Sequence, residues 1–275
     1  MSLSIKTKFF KNTAVVSVFT MFSRIFGYIR DAAIFIFISN STGALDAFLV
    51  AFRVPNFFRR IFGEGALSTA YIPILSDYKN NKSNEEVKEF INSSITTLSI
   101  ILLIISFIGI LIAPILIYII APGFVNSEYG QSELAGNLLR ITFPYMLFIC
   151  LTAVIASILN TYENFSVPAI TPVILNIILI LSVIYLAPLF EEPVYALAWG
   201  LLFGGIVQLS FQLYPLIKMG LFPKYKLNKN HPGIKKIKVL MLPVIFGSSV
   251  TQINLIFDTI IASFLITGSI SWLYM

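Results

Sequence analysis

The chain has 275 residues, of which 57% are hydrophobic and only 12% are charged, and its mean hydropathy is +0.87. A soluble domain carries about twice this charged fraction, so the composition excludes an ordinary soluble protein. Long continuous apolar runs lack the alternation of a membrane β-barrel and predict an all-α, polytopic membrane protein. The net charge of +6 does not indicate a nucleic-acid partner, because the lysines flank the apolar runs.

Seven apolar runs and the beginning of an eighth follow one another along the chain. Several are longer than the about 20 residues that cross a bilayer, so we predict seven transmembrane helices, some of them tilted, and the start of an eighth. The second run is interrupted at Pro55 and near Gly63 and Gly65. The predicted spans cover about 12–38, 44–75, 90–121, 135–160, 167–188, 194–217 and 238–266.

Lysine marks one side of the predicted membrane protein. All thirteen lysines lie in three polar segments, which are the N-terminal tail, residues 76–89 and residues 218–238. The connections 39–46, 126–133 and 191–192 contain no lysine. Because positive loops stay in the cytoplasm, we expect the N-terminus to be cytoplasmic. The segment 218–238 also fits a surface that binds anionic lipid head groups, and this alternative stays open.

Three further features bear on whether the protein has a cleaved signal peptide, disulfides or a metal site. Arg24 and Arg30 lie within the first apolar run, which lacks a small-residue cleavage site, so we predict a membrane span rather than a cleaved signal peptide. The one cysteine, Cys150, lies in an apolar run, and no disulfide framework is expected. The one histidine, His231, is interpreted as a solvated loop residue, and no metal site or cofactor is expected.

Small residues recur in the sixth run. Gly200 and Gly204 are four residues apart, and Gly205 follows. This spacing is typical of helices that pack closely in membranes. We predict close packing within this chain; a dimerisation face is the alternative that we do not adopt.

Arginine is concentrated in the first two apolar runs. On insertion scales, an arginine at mid-membrane costs roughly 2.5–3.5 kcal/mol, so a cluster of them indicates a function. Arg140, near the start of the fourth run, is interpreted as an interface anchor. The other five arginines lie within about forty residues of one another: Arg24, Arg30, Arg53, Arg59 and Arg60.

Helical geometry predicts how the charges of the second run are arranged. Asp46, Arg53 and Arg60 are spaced by seven residues, close to two turns, and so share one stripe of an ideal helix. Arg59 lies about 100° away from that stripe. Glu64 follows Arg60 at i+4 and can pair with it.

The first run adds a second group of charges. Arg24 and Asp31 share a helix face, whereas Arg30 lies about 120° from Arg24. Over both runs, five arginines face three acids (Asp31, Asp46 and Glu64), which leaves a formal excess of two positive charges. Guanidinium groups grip phosphate through paired hydrogen bonds, so the surplus favours a membrane cavity that binds a phosphate-bearing ligand.

Two points stay open at this stage. In a purely structural arrangement, Arg59 and Arg60 extend to the membrane interface while Arg24 and Arg30 pair with acids. Asp258, in the seventh run, either couples an ion or packs against an arginine of the first two runs.

Long motifs along the chain carry a family resemblance. They lie at Met21–Ala32, Asp46–Phe48, Val50–Ala66, Ala121–Phe124, Ile141–Tyr145, Ile158–Thr161 and Ala262–Leu265. These segments resemble the MurJ/MviN family, the bacterial lipid II flippases, and the resemblance covers the whole chain. It implies the fold of the MOP exporter superfamily, in which two helical lobes enclose a central cavity and rock between inward-open and outward-open states.

The resemblance also implies a function and a site. Lipid II, an undecaprenyl-diphosphate-linked sugar-pentapeptide, would move to the outer leaflet of the bacterial cytoplasmic (inner) membrane without covalent chemistry or a cofactor. Membrane lipids and cell-wall synthesis proteins would be the other partners. The cavity residues of the family fall on Arg24, Arg30, Arg60, Asp46, Glu64 and Ser271, with Arg59 beside them and with Arg53, Asp31 and Asp258 as further candidates.

Length separates this chain from its family, whose members are about twice as long. We therefore expect the first lobe at 1–220, a basic cytoplasmic loop at 221–237, and at 238–275 the seventh helix with a short stub of the eighth. On this basis the chain should not transport alone, and a non-transporting paralogue or an interaction protein of the cell-wall machinery is the alternative. A membrane enzyme acting on polyprenyl phosphates is disfavoured, because no run contains a histidine or a carboxylate pair at metal-ligand spacing.

Overall fold

The computed structural model describes residues 3–38, 43–60, 67–127, 130–228 and 230–274, and every regular element within these ranges is helical. Short 3₁₀ turns lie at Pro122–Asn126 and Ala187–Leu189, and a π turn lies at Ser182–Leu186. The α-helices are α1 (Leu3–Ile38), α2 (Ala44–Phe58), α3 (Leu67–Asn81), α4 (Asn84–Leu111), α5 (Ala113–Ile120), α6 (Gln131–Thr142), α7 (Tyr145–Thr161), α8 (Ser166–Leu181), α9 (Tyr195–Lys218), α10 (Pro232–Ser263) and α11 (Ser269–Tyr274).

Proline explains why several predicted spans are built from two helices. Proline lacks the N–H that continues a helix, so it sits best in a first turn. Pro114 lies in the first turn of α5, and Pro144 immediately precedes α7. The third predicted span therefore becomes α4 followed by α5, and the fourth becomes α6 followed by α7. The second span divides into α2 and α3, and the predicted interruption at Gly63 and Gly65 lies outside the described residues. The predicted interruption at Pro55 is wrong, because α2 continues through Pro55 to Phe58.

Five helical stretches in the described part of the chain are long and apolar enough to cross a membrane. They correspond to predicted spans three to seven. The first two predicted spans coincide with α1 and with the α2–α3 pair, which carry the arginine cluster. The five stretches are Asn84–Leu111, Gln131–Thr161, Ser166–Leu189, Tyr195–Lys218 and Pro232–Ser263.

The helices pack around two buried apolar clusters. One cluster joins α2, α6 and the start of α9, where Ala47, Leu138 and Leu197 are fully buried. The other lies toward the lysine-bearing end and includes Tyr71 and Phe90, whose rings stack with centroids 5.3 Å apart. Around these clusters, α1 packs on α8, α8 and α7 pack on α9, and α3 packs on α7 and α10.

The glycine pattern of α9 serves packing within the chain, as predicted. A Cβ on Gly200 would come within 2.4 Å of the Ser182 side chain, and one on Gly204 within 2.5 Å of Leu175. A Cβ on Gly205 would meet the Tyr145 ring at 2.7 Å. These close approaches hold α9 against α8 and α7.

The interpretation of His231 as a solvated loop residue is wrong. His231 is buried at the start of α10, where its ring lies 5.7 Å from the Phe90 ring and 5.8 Å from the Tyr78 ring. Its Nδ1 accepts a hydrogen bond from Gly233 N (3.2 Å), which satisfies one of the free N–H groups of the first helical turn. The neighbouring Pro232 suggested a loop but is instead the first residue of the helix.

Candidate functional site

Four of the five clustered arginines line one cavity of about 660 Å³, which we name the arginine cavity. The cavity lies between α1, α2, α7, α8 and α9. Its described lining residues include no carboxylate. The four arginines are Arg24, Arg30, Arg59 and Arg60.

The local conformation of α1 and of the turn after α2 places these four side chains in the arginine cavity. Arg24 and Arg30 flank Gly27 on α1, and all three line the cavity although the two arginines are about 120° apart on an ideal helix. After α2, the chain continues through Arg59 and Arg60 as a π turn. The predicted stripe placed Arg59 away from Arg60, yet both line the cavity. π turns are frequent at functional sites, where they reorient side chains.

Arg30 is held by a network of hydrogen bonds. Its Nε and Nη2 donate to Asp31 Oδ1 at 2.9 and 2.7 Å, and its Nη1 donates to Asn176 Oδ1 at 3.0 Å. Asn176 in turn donates to the backbone carbonyl of Ser23 (3.0 Å). The Arg30 side chain is 22% exposed and that of Asp31 is 48% exposed. The network therefore fixes the guanidinium plane where α1 faces α8.

The other three guanidinium groups differ in how firmly they are held. Arg59 Nε donates to Asn56 Oδ1 (2.8 Å), and Arg59 has further interactions. Arg24 and Arg60 are exposed toward the cavity and have no hydrogen bond or ion pair to a described residue. Their donors are therefore available to a ligand. The structural alternative, in which Arg24 and Arg30 both pair with acids, holds for Arg30 and not for Arg24.

A second, apolar cavity of about 370 Å³ adjoins the arginine cavity. Arg30, Phe52, Leu175 and Tyr274 line both cavities. The rest of the apolar cavity is lined mainly by aliphatic and aromatic side chains of α1, α2, α8 and α9, together with Asp31 and Ser271. The space between the helices is thus cationic and polar in one part and apolar in the other.

Hydrogen bonds join Asp46 of α2 to Ser271 of α11. Asp46 is buried, and its Oδ1 accepts from Ser271 N (2.8 Å) and from the Ser271 hydroxyl, while Oδ2 accepts from Gly268 N (2.6 Å). Asp46 lines neither cavity. Its carboxylate instead lies against the N-terminal end of α11. There it accepts hydrogen bonds from free N–H groups and compensates the positive end of the helix dipole.

Arg53 faces away from the cavities and toward α10. Its Nη1 donates to the backbone carbonyl of Leu255 (2.6 Å) and to the Thr259 hydroxyl. Asp258 interacts electrostatically with Arg53. Asp258 is exposed on α10, so ion coupling and packing against an arginine of the first two runs both stay predictions. The three residues of the predicted stripe therefore have different surroundings. Asp46 contacts α11, Arg53 contacts α10, and Arg60 lines the cavity.

Glu64 and Arg140 are the two remaining charged positions that the sequence singled out. Glu64 lies outside the described residues. Arg140 is exposed and donates to Asn137 Oδ1 (3.1 Å) one turn earlier on α6, as suits an interface anchor.

Sequence reasoning missed the neutral polar residues of the arginine cavity. Asn176 orients Arg30, and the amide side chains of Asn160, Gln208 and Gln212 line the same space. All four lie in apolar runs, where polar side chains are costly and tend to mark a pathway or site. The position of these amides inside apolar runs is the signal in the sequence that identifies them.

Comparisons with known proteins agree with this architecture. The family model described as lipid II flippase MurJ matches residues 38–275. A probable lipid II flippase MurJ of Vibrio cholerae is 41% identical over an alignment of 281 positions. The alignment covers 99% of this chain and 53% of that protein. The lipid II flippase MurJ of Burkholderia cenocepacia is 40% identical over 271 residues, covering 96% of this chain and 52% of that protein.

Solved structures show the same fold. A lipid II flippase MurJ in an inward closed conformation superposes with a TM-score of 0.76 and 33% identity, covering 94% of this chain and 53% of that one. A MOP superfamily transporter from Pyrococcus furiosus, at 18% identity and a TM-score of 0.66, shares the fold alone. The predicted all-α lobe of a MOP-type fold is confirmed, and the chain spans about half the length of its relatives. By its sequence and its fold, this multi-pass membrane chain belongs to the lipid II flippase MurJ family.

Proposed function

We propose that this chain forms the first lobe of a flippase that translocates lipid II from the inner to the outer leaflet of the bacterial cytoplasmic membrane. One observation carries the proposal: four guanidinium groups line one membrane cavity whose described lining contains no carboxylate. The relatives are named as lipid II flippases, which supports this substrate and a transporter rather than an enzyme.

The cavity captures the diphosphate of the lipid. Guanidinium groups bind phosphate oxygens through paired, charge-assisted hydrogen bonds. Two unit charges 4 Å apart attract by about 4 kcal/mol at an effective dielectric of ~20, which offsets the cost of keeping cations inside the membrane. Arg24 and Arg60 make the first contacts because their donors are available, and Arg59 adds charge beside them.

Arg30 has a different part in the capture. Asp31 occupies its Nε and Nη2, and Asn176 holds its Nη1. Since Asp31 is about half exposed, an incoming diphosphate replaces it as the partner of Arg30 while Asn176 keeps the side chain in place. The residue is thereby oriented before the ligand arrives, which lowers the entropic cost of binding.

Transport needs a second lobe moving against this one. In our proposal, residues 1–220 form the first lobe, 221–237 a basic cytoplasmic loop, and 238–275 the seventh helix with the start of the eighth. The N-terminus lies in the cytoplasm. The prenyl tail stays in lipid while the two lobes rock and expose the head group on the outer side. Arg53 connects α2 to α10, and Asp46 with Ser271 connects α2 to α11, so in our proposal these residues transmit movement rather than bind the ligand.

Complementation tests the arginine cavity. Bacteria depleted of their own lipid II flippase are supplied with a full-length protein that carries this chain. We expect Arg24→Ala and Arg30→Ala each to abolish rescue, because each removes a donor from the cavity, while immunoblots of membranes show normal insertion.

Arg140→Ala provides the matched control. It removes an arginine that is exposed on α6 and lines neither cavity, so rescue should be retained. Rescue that survives both cavity substitutions would end the proposed mechanism. A full-length wild-type protein that inserts and does not rescue would favour a non-transporting role in the cell-wall machinery.

A further inference from the structure

One wall of the arginine cavity is neutral and consists of hydrogen-bonding side chains. Gln208 and Gln212 lie one turn apart on α9 and line the cavity although both residues are almost fully buried, at 2% and 1% exposure. Thr152 and Ser157 of α7 line the cavity as well. We name these four residues the neutral wall.

The orientation of both glutamine amides is fixed by Thr171 on α8. Gln208 Nε2 donates to the Thr171 backbone carbonyl (2.9 Å), which can only accept. The Thr171 hydroxyl donates to the carbonyl of Val167 (2.8 Å) and therefore accepts from Gln212 Nε2 (2.8 Å). Each amide nitrogen thus faces α8, and exchanging nitrogen and oxygen would place two acceptors together at each contact.

The two amide oxygens are left without a donor. Neither Gln208 Oε1 nor Gln212 Oε1 accepts a hydrogen bond within the described structure. A buried polar atom without a partner costs about 1–3 kcal/mol, so a native protein keeps such atoms for a reason. A ligand that donates hydrogen bonds would remove this cost.

The two hydroxyl groups of the neutral wall are also hydrogen-bond acceptors toward the cavity. Thr152 Oγ1 donates to the carbonyl of Phe148 (2.7 Å), and Ser157 Oγ donates to that of Ala153 (2.9 Å). With their one hydrogen engaged, both oxygens can only accept. The wall therefore presents acceptors without negative charge, whereas the arginines present donors with positive charge.

From this polarity we propose that the neutral wall binds the hydroxyl and amide N–H groups of the uncharged sugar that is linked to the diphosphate. The inference rests on the proposed function, since it assigns the diphosphate to the arginines. A ligand with anionic and hydrogen-bond-donating parts matches both sides of one cavity of about 660 Å³. The amide oxygens of Gln208 and Gln212 would accept from these donors while both amide nitrogens keep their bonds to Thr171.

Binding of two lipids to the full-length protein in phosphatidylcholine nanodiscs tests the inference. The probes are undecaprenyl diphosphate and the same lipid carrying a disaccharide. Two neutral hydrogen bonds are worth about tenfold in affinity, so wild type should bind the disaccharide lipid about tenfold more tightly. The double variant Gln208→Met with Gln212→Met should lose this advantage and bind the bare diphosphate lipid unchanged within about twofold.

Ser210→Ala is the matched control. It removes a hydroxyl of α9 that donates to the carbonyl of Ile206 and does not line the cavity, so the advantage of the disaccharide should persist. An equal loss in the control, or an equal loss for both lipids in the double variant, would assign the glutamines to helix packing and overturn the inference. Wild-type binding of both lipids with equal affinity would overturn it and leave the proposed function standing. Binding of neither lipid would refute the proposed function itself.

Discussion

At the scale of single residues, Asp46 shows that helix periodicity does not predict which distant residues a side chain contacts. Its spacing from Arg53 and Arg60 predicts one stripe for all three, yet Asp46 contacts α11 and Arg53 contacts α10 while Arg60 lines the cavity. The spacing does not say which helix covers Asp46, because the partners, Gly268 and Ser271, lie more than 220 residues away along the chain. The pairing of Asp46 with the start of α11 could therefore not be predicted from periodicity.

Replacing Asp46 should loosen the start of α11. Hydrogen bonds to a charged group contribute about 1.5–3 kcal/mol, and Asp46→Asn turns one of the two acceptor oxygens into a donor that faces an N–H group. We expect amide hydrogens of residues 268–274 to exchange at least tenfold faster, measured by hydrogen exchange with mass spectrometry. Ser271→Ala should have a smaller effect because the Ser271 N–H bond to Asp46 remains. Unchanged exchange in Asp46→Asn would show that the carboxylate does not hold α11.

The arginines were easier to predict than their surroundings. The cost of charge inside an apolar run identifies Arg24, Arg30 and Arg60 from sequence, and all three line the cavity. The hydrogen bond from Arg30 to Asn176 joins α1 to α8 across 146 positions of the chain. A single sequence contains no spacing rule for such a contact, since it depends on how the helices pack.

At the scale of elements, the lengths of the apolar runs predicted most of the helices, whereas the divisions within runs and the ends of helices were predicted less well. The beginning of α10 is the clearest case. The sequence around His231 and Pro232 is polar and lysine-rich, which is typical of a loop. Packing of His231 against Phe90 and Tyr78 buries the ring, and its Nδ1 caps the helix. This tertiary contact, which joins α10 to α3 and α4, decides where the helix starts.

The buried His231 predicts a pH dependence of stability. Burial lowers the pKa of His231 below its ordinary 6.5; Glu89 opposes the shift and Lys226 adds to it. The folded protein therefore prefers the neutral ring, and the unfolded chain binds the proton first as the pH falls. The stabilisation is complete above pH 6.5 and is lost as the pH falls through the lower folded pKa.

Thermal melts in detergent between pH 8 and pH 5 measure this effect. The melting temperature of wild type should decrease below about pH 6.5, in addition to any change shared with the variant. His231→Asn keeps a side-chain acceptor at the start of the helix and does not titrate, so its melting temperature should fall less over the same range. Parallel curves for the two proteins would contradict the assignment.

At the scale of the whole molecule, the alternation of lysine-bearing and lysine-free connections agrees with the helix order. Lys224 follows α9, and Glu133 lies in the first turn of α6, so the two are separated by an odd number of predicted membrane crossings. The positive-inside rule assigns Lys224 to the cytoplasm and Glu133 to the outside.

Cysteine labelling tests that orientation. Cys150 is buried and is the only cysteine among these 275 residues, so Cys150→Ser removes the thiol of this part of the protein. On this background, Glu133→Cys should react with a membrane-impermeant maleimide in spheroplasts. Lys224→Cys should react only after the membrane is permeabilised, because both positions are exposed and differ only in side. Labelling of Lys224→Cys in intact spheroplasts would invert the topology.

The arginine cavity has a practical consequence for handling the protein. Because Arg24 and Arg60 have donors without a described partner, the proposed function predicts that a small oxyanion at millimolar concentration competes with the lipid for the cavity. Inorganic phosphate and sulfate are the obvious competitors, and added salt screens the attraction over about 10 Å at 0.1 M. Purification in a zwitterionic buffer of low ionic strength keeps the site vacant, and an affinity recorded in phosphate buffer measures competition between two anions.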